Sequence, residues 1–254
     1  MNDNDELTED AFLGGKLCLR QPKSGHRAGH DAMLLAAATP ARPGDRVVDL
    51  GAGVGAAGLA VARRVAGIRL ALVEIDQSLA DIARGNAVSN AIAAETILLD
   101  VTAGGDAFAA AGLLPDTVDV VLMNPPFNDS TRHRASPDRA RQIAHVAAEA
   151  SLESWVHAAR RILKSGGVLA LIWRADAIAE VLAALHRGFG SLVILPVHAE
   201  ATSPAIRILV RAVKGGRAPT RLEPALVLSD TPARPCPKVR EILEGEGVLP
   251  LAIP

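Results

Sequence analysis

Four short apolar runs in this chain each carry an acid or an amide at or just beyond their carboxyl end, and that repetition constrains the fold more than any other feature. Residues 46–50 contain Asp49 and open into Gly51-Ala52-Gly53-Val54-Gly55. Residues 69–73 lead to Glu74, residues 96–99 to Asp100, and residues 118–123 to Asn124-Pro125-Pro126-Phe127. Runs of this length, rich in Val, Leu and Ile, read as buried strands. Residues 56–66 have helical composition, and residues 77–88 place Leu79, Ile82 and Ala83 at helical spacing. Strands alternating with helices predict a parallel, doubly wound α/β sheet. Ligands of such sheets bind outside the carboxyl ends of the strands. The four polar groups are therefore expected along one binding edge.

The pattern continues with a helix over 151–163, stopped by Lys164-Ser165-Gly166-Gly167, and a strand over 168–173. A helix over 177–185 follows, then strands over 192–196 and 206–213. No helix separates these two strands, which predicts an antiparallel hairpin at the sheet edge. Upstream, an amphipathic helix over 31–38 is expected to pack on the sheet edge. Prolines 219, 224, 232, 235 and 237 mark residues 214–254 as mostly irregular, with a short helix near 238–243. The expected organisation is one domain: an N-terminal extension over 1–45 covering the ligand site, a core over 46–213, and a C-terminal extension over 214–254.

With 254 residues, 49% of them hydrophobic and 22% charged, the composition is that of a globular protein. Cys18 and Cys236 are isolated and fit neither a disulfide framework nor a metal site, so a reducing cytoplasm is expected and no metal. Residues 1–10 are acidic rather than a signal peptide. No apolar run approaches the roughly 20 residues of a membrane span. Net charge is −1, yet residues 11–30, 201–222 and 127–145 carry +4, +5 and +2, leaving −12 on the remainder. Basic segments on an acidic body can form a phosphate-attracting patch, and all three are expected to flank one cleft.

The Asn124 carboxamide oxygen and the Pro125 carbonyl are two acceptors. The prolines at 125 and 126 fix φ and remove donors, and Phe127 offers a flat π face. That set suits a planar –NH2 group. Gly53, Gly55 and Gly58 also spell G-x-G-x-x-G, with Glu74 placed for ribose hydroxyls, so a nicotinamide-dependent oxidoreductase is an alternative. Asp49 disfavours it, because a carboxylate beside the glycine turn suits a cation better than a pyrophosphate.

The ordered motifs Asp49-Leu50-Gly51-Ala52-Gly53-Val54-Gly55, Val73-Glu74-Ile75-Asp76, Asp100 and Asn124-Pro125-Pro126-Phe127 resemble those of class I S-adenosylmethionine-dependent methyltransferases acting on amino groups. The resemblance implies a Rossmann-like seven-stranded sheet of order 3-2-1-4-5-7-6 with an antiparallel last strand. It implies that Asp49, Gly51, Ala52, Gly53 and Gly55 hold the methionine moiety. Glu74, with Ile75, would hold the ribose, Asp100 and Val101 the adenine, and Asn124 would border both cofactor and acceptor. Asn124, Pro125, Pro126 and Phe127 would hold the acceptor amine.

More narrowly, residues 25–35, the Ser136–Arg141 stretch with His145, and residues 205–210 with 222–228 are similar to bacterial tRNA(valine) adenine-N6 methyltransferases. His30 and Phe127 depart from that family's pattern, where a small or hydroxyl residue and a Tyr are more usual. Arg27, His30, Asp31, Arg132, Arg134 and Arg139 are candidates for a substrate surface or lid over the site. The implied substrate is RNA, foremost tRNA. An rRNA base, a protein glutamine amide and a non-catalytic cofactor-binding module stay open as alternatives, as does the oligomeric state.

Overall fold

The computed structural model describes residues 7–24, 27–126, 151–231 and 234–253. An N-terminal hairpin, β1 (Leu7–Phe12) and β2 (Leu17–Pro22), precedes helix α1 (His30–Ala38). Then come β3 (Arg46–Leu50), α2 (Ala56–Arg64), β4 (Arg69–Glu74), α3 (Gln77–Ser89), β5 (Ala94–Leu98), α4 (Gly105–Ala110) and β6 (Val118–Met123). The second half holds α5 (Leu152–Ile162), β7 (Leu163–Arg174), α6 (Ile178–Leu185), β8 (Phe189–His198) and β9 (Ala205–Lys214). Two short strands, β10 (Arg221–Leu222) and β11 (Leu226–Val227), a small antiparallel pair, β12 (Ser229–Thr231) and β13 (Arg234–Pro235), and helix α7 (Pro237–Leu243) follow.

The central sheet runs β5-β4-β3-β6-β7-β9-β8, the order 3-2-1-4-5-7-6, and β9 is antiparallel to both its neighbours. The sheet is larger than the seven strands expected. Both β10 and β11 pair in parallel with β8, so it has nine strands among the described residues. Residues 214–254 are thus less irregular than their prolines suggest. Proline is tolerated at a sheet edge because only one side of an edge strand needs donors, and Pro224 sits between the two short strands.

Side chains alternate across the sheet with the strand period of two. Val47, Leu70, Leu72, Val120 and Leu122 face the layer of α1, α2 and α3. Val48, Leu50, Ala71, Val73, Val121 and Met123 face α5 and its neighbours. Helix α5 starts at Ser151, whose hydroxyl accepts from the Ser154 N–H at 3.3 Å, and it ends with Arg160 and Arg161 near the negative pole of its dipole. The glycines after α5 do more than stop it. Leu163 already pairs with Val118, and the register shifts before Val120 meets Val168, so Gly166-Gly167 lies within an irregularity of a longer β7.

Helix α1 is neither amphipathic nor at the edge. Ala32 through Ala38 are all buried, and the helix lies across β6, β7 and β9 in the middle of the sheet while packing on α2. Its apolar positions surround the axis, as expected of a helix covered on every side.

The hairpin was not legible from charge, which dominates residues 11–30. Leu17, Leu19 and Gln21 point inward while Cys18 and Arg20 point out. Its free edge is closed by two side chains, Asn86 of α3 and Asn90 that caps its carboxyl end. Asn90 exchanges bonds with the Cys18 N–H (2.9 Å) and carbonyl (2.6 Å), and Asn86 with the Arg20 N–H (2.8 Å) and carbonyl (3.0 Å). Asparagines at i and i+4 on one helix face mimic a neighbouring strand.

Leu35 is fully buried in α1. Leu35→Ala is expected to cost about 3 kcal/mol in urea unfolding, as for a core leucine. A cost below about 1 kcal/mol, within the range of peripheral substitutions, would contradict the central placement of α1.

Candidate active site

Strand register brings the polar strand ends together. Leu50 lies opposite Val73 on one side and Met123 on the other, and Glu74 lies opposite Leu98. Asn124, Gly51, Glu74 and the start of the Asp100 loop therefore share one edge of the sheet. From β5 to β6 that edge spans three interstrand steps of about 4.8 Å, roughly 14 Å.

Asp49 is 2% exposed, and its Oδ2 accepts from the Gly58 N–H at 2.8 Å in the first turn of α2. The approach requires glycine. A Cβ on Gly58 would lie 3.0 Å from that oxygen and 2.7 Å from Leu72 Cδ2. Burial pushes the Asp49 carboxyl up to about 7; the Gly58 N–H opposes the shift, and the charge of nearby Glu74 adds to it. Glu74 is buried too. Its Oε2 accepts from Gly53 at 2.8 Å, and its Oε1 accepts from Ile75 at 2.9 Å and Asp76 at 3.0 Å.

The turn between β3 and α2 is consequently short of donors. The Gly51 and Ala52 N–H groups both go to the Val73 carbonyl, Gly53 to Glu74, Gly55 to Ala52, and Gly58 to Asp49. A dinucleotide pyrophosphate needs free N–H groups at such a turn. What the turn offers instead is carboxylate and carbonyl oxygen, which fits the positively charged methionine end of S-adenosylmethionine.

Asp100 is half-buried, and its Oδ1 accepts from the N–H and hydroxyl of Thr102, each at 2.7 Å. Those bonds shape the loop and leave Oδ2 without a partner among the described residues. Val101 beside it is buried, whereas Ile75 is 44% exposed above the turn. Asn124 is half-buried and its carboxamide makes no hydrogen bond to the described residues; Pro125 is buried and Pro126 exposed. A cleft of about 720 Å³ opens beside Pro126, walled by Trp173, Arg174 and α6. Phe127 lies outside the described residues.

Two site residues carried no recognised signal. Trp155, in the first turn of α5, packs under the glycine turn, where a Cβ on Gly51 would sit 2.5 Å from its Cη2. Gly51 has φ +71°, so glycine is required there twice over. A tryptophan in a chain with 2% aromatic residues was the available clue. Asn86 is the second: its Nδ2 donates to the Val54 carbonyl of the turn at 3.0 Å.

The basic residues do not gather as expected. Arg27 pairs with Asp10 at 2.6 Å and also donates to Thr8, while Asp31 pairs with Arg207 at 2.9 Å. His30 is exposed at the start of α1. Because β9 runs antiparallel, Arg207 lies at the binding edge while Lys214 lies at the opposite edge, bonded to Asp116. The basic residues of 201–222 are thus divided between the two edges of the sheet rather than gathered along one cleft. Arg132, Arg134 and Arg139, like Arg141, His133 and His145, lie outside the described residues. Among the described residues no cluster of His, Cys, Asp and Glu could hold a metal, and no helix is long and apolar enough to cross a membrane.

Residues 24–199 match the family model of the methyltransferase small domain. The chain belongs to that family. It is an S-adenosylmethionine-dependent methyltransferase. The tRNA1(Val) (adenine(37)-N6)-methyltransferase of Porphyromonas gingivalis is 29% identical over 182 residues, 69% of each chain. A solved structure from Agrobacterium tumefaciens, described as a predicted O-methyltransferase, is 33% identical with a TM-score of 0.72, covering 86% of this chain and 98% of that one. The 16S rRNA N2 G1207 methyltransferase of T. thermophilus, solved with AdoMet and guanosine, shares the fold at a TM-score of 0.55 and 22% identity, over 82% of this chain and 50% of that one.

The raised Asp49 pKa has a stability consequence. Between the ordinary value of 3.8 and about 7 the folded state holds a proton that the unfolded state has lost, so stability falls as pH rises through that window. Asp49→Asn keeps an acceptor for Gly58 and removes the ionisation. The cofactor-free variant is expected to be more stable than the parent at pH 8, by an amount on the order of a few kcal/mol, and to converge with it near pH 4. Parallel melting-temperature profiles for the two proteins would contradict this.

Proposed function

We propose that this methyltransferase transfers the methyl group to the exocyclic N6 amine of adenine in a tRNA. The observation that carries the reading is the placement of Asn124-Pro125 at the end of β6, level with the acceptor-rich turn, with its carboxamide unpaired among the described residues. S-adenosylmethionine, when bound, supplies an electrophilic methyl on a sulfonium. Asp49 and the carbonyl-lined turn would hold its cationic end, Glu74 its ribose, and Asp100 Oδ2 its adenine amine.

An aryl amine is a weak nucleophile because its lone pair conjugates with the ring. Asn124 Oδ1 and the Pro125 carbonyl would accept its two N–H bonds, turning the lone pair out of conjugation. The new N–C bond forms as the S–C bond breaks, and a proton then leaves the nitrogen to water, so no strong base is needed. Fixed orientation of this kind can supply several kcal/mol, at best roughly 7–11. Taking the base out of its stack costs a few kcal/mol, which contacts along the 720 Å³ cleft beside Pro126 would offset.

The likeness to the structure described as an O-methyltransferase favours a second reading, with a hydroxyl acceptor. A hydroxyl has one O–H to donate and leaves one of the two acceptors at Asn124-Pro125 unused, so the amine is the better match. The relative from P. gingivalis supports adenine in tRNA.

Incubating the protein with S-adenosylmethionine and unmodified tRNA, then digesting to nucleosides for mass spectrometry, is expected to yield N6-methyladenosine. Asn124→Ala should lower that yield by about a thousandfold, the scale of one lost transition-state contact, with cofactor affinity nearly unchanged. A ribose-methylated product, or methyl transfer to rRNA or protein alone, would overturn the assignment.

A further inference from the structure

Asn86 is fully buried in α3, one helix away from the proposed chemistry, and all three of its side-chain hydrogen bonds leave the helix. Its Oδ1 accepts from the Arg20 N–H at 2.8 Å, and its Nδ2 donates to the Arg20 carbonyl and to the Val54 carbonyl, both at 3.0 Å. One planar amide therefore fixes the distance between the glycine turn and β2. The next residue of β2 carries the connection onward. Gln21 is buried, its Oε1 accepts from the Ala28 N–H at 2.8 Å, and its Nε2 donates to Asp10 at 3.0 Å. Asp10 holds Arg27 at 2.6 Å, and three residues past Ala28 the first turn of α1 places Asp31 on Arg207 near the start of β9.

We propose that Asn86 is a positioning residue for the methyl transfer, coupling the glycine turn, which in the proposed function receives the cofactor, to the 27–31 segment, which meets Arg207 at the binding edge of the sheet. The inference rests on the cofactor occupying the 51–55 turn. Its physical basis is the rigidity of a fully satisfied buried amide. Moving Val54 by a few tenths of an ångström strains or breaks bonds at Arg20, because a buried donor or acceptor left unpaired is costly. Occupancy of the turn thus stiffens the hairpin, and the hairpin in turn holds the entrance to α1. Asn90 supplies an internal control. It grips the same strand at Cys18 and donates to the Asn86 carbonyl at 2.8 Å, but makes no bond to the turn.

The test is hydrogen exchange of the full chain with and without S-adenosylhomocysteine, joined to steady-state kinetics with S-adenosylmethionine and tRNA. In the parent protein the ligand is expected to slow exchange in residues 51–58 and, by about threefold or more, at the Cys18 and Arg20 amides. Asn86→Ala should raise KM for S-adenosylmethionine about tenfold, the worth of one buried hydrogen bond, and uncouple hairpin exchange from the ligand. Asn90→Ala should loosen the hairpin with KM unchanged. Protection of residues 51–58 with the hairpin unaffected in the parent protein would overturn the coupling, and it needs no variant to fold. Equal KM effects in both variants would reduce Asn86 to a structural role. Protection at neither segment would overturn the cofactor placement, and this inference with it.

Discussion

A single hydrogen bond, from the Gly58 N–H to the buried carboxylate of Asp49, organises the binding edge of this protein. A carboxylate taken out of water must find donors or give up its charge. Here one donor reaches it, and only because position 58 has no side chain to hold the helix off. That leaves Asp49 under-compensated, with a pKa near 7 instead of near 4. The second carboxylate, Glu74, gathers three N–H groups from its own neighbourhood. The two acids take the Gly53 and Gly58 N–H groups, and carbonyls take those of Gly51, Ala52 and Gly55, so these donors of the glycine turn are not offered to an anion. The same glycine spacing that reads as a dinucleotide fingerprint is therefore better suited here to a cation than to a pyrophosphate.

The sheet supplies the rest by register. Parallel strands of matched length end at one level, so residues far apart in sequence arrive side by side without any loop having to place them. Asn124 needs only to follow Met123, which is paired to Leu50, to stand beside the turn. The layers behind the edge make it stiff: Trp155 fills the space beneath Gly51 from one face, and Asn86 holds Val54 from the other. Stiffness matters because the proposed reaction depends on the direction of one lone pair rather than on a shifted base.

How much of this was legible depends on whether a signal was local. The strands β3 to β6 and their polar ends could be read from apolar runs bounded by turns, because each run carries its own boundary. The reversal of β9 was inferable from a missing helix. What escaped was everything set by tertiary partners. The hairpin β1–β2 is stabilised by Asn86 and Asn90, more than 60 residues downstream, and nothing within residues 7–22 announces them. The small strands β10 and β11 exist because β8 has an open edge. Charge misled most: Arg27, Arg207 and Lys214 read as a surface for phosphate, yet each is bonded to a carboxylate, and β9 carries two of them to opposite edges of the sheet. At Asp49 the residue was recognised from its motif, but its protonation came from burial, which sequence does not display.

In the proposed function Asp49 takes up charge as a cationic cofactor settles on the turn. Calorimetric titration of S-adenosylmethionine in buffers of differing ionisation enthalpy, at pH 6.5 and again at pH 8.5, counts the protons exchanged on binding. Release of a large fraction of one proton at pH 6.5, fading to none at pH 8.5 and absent in Asp49→Asn, is the predicted result. Binding with no proton release at pH 6.5 would contradict it.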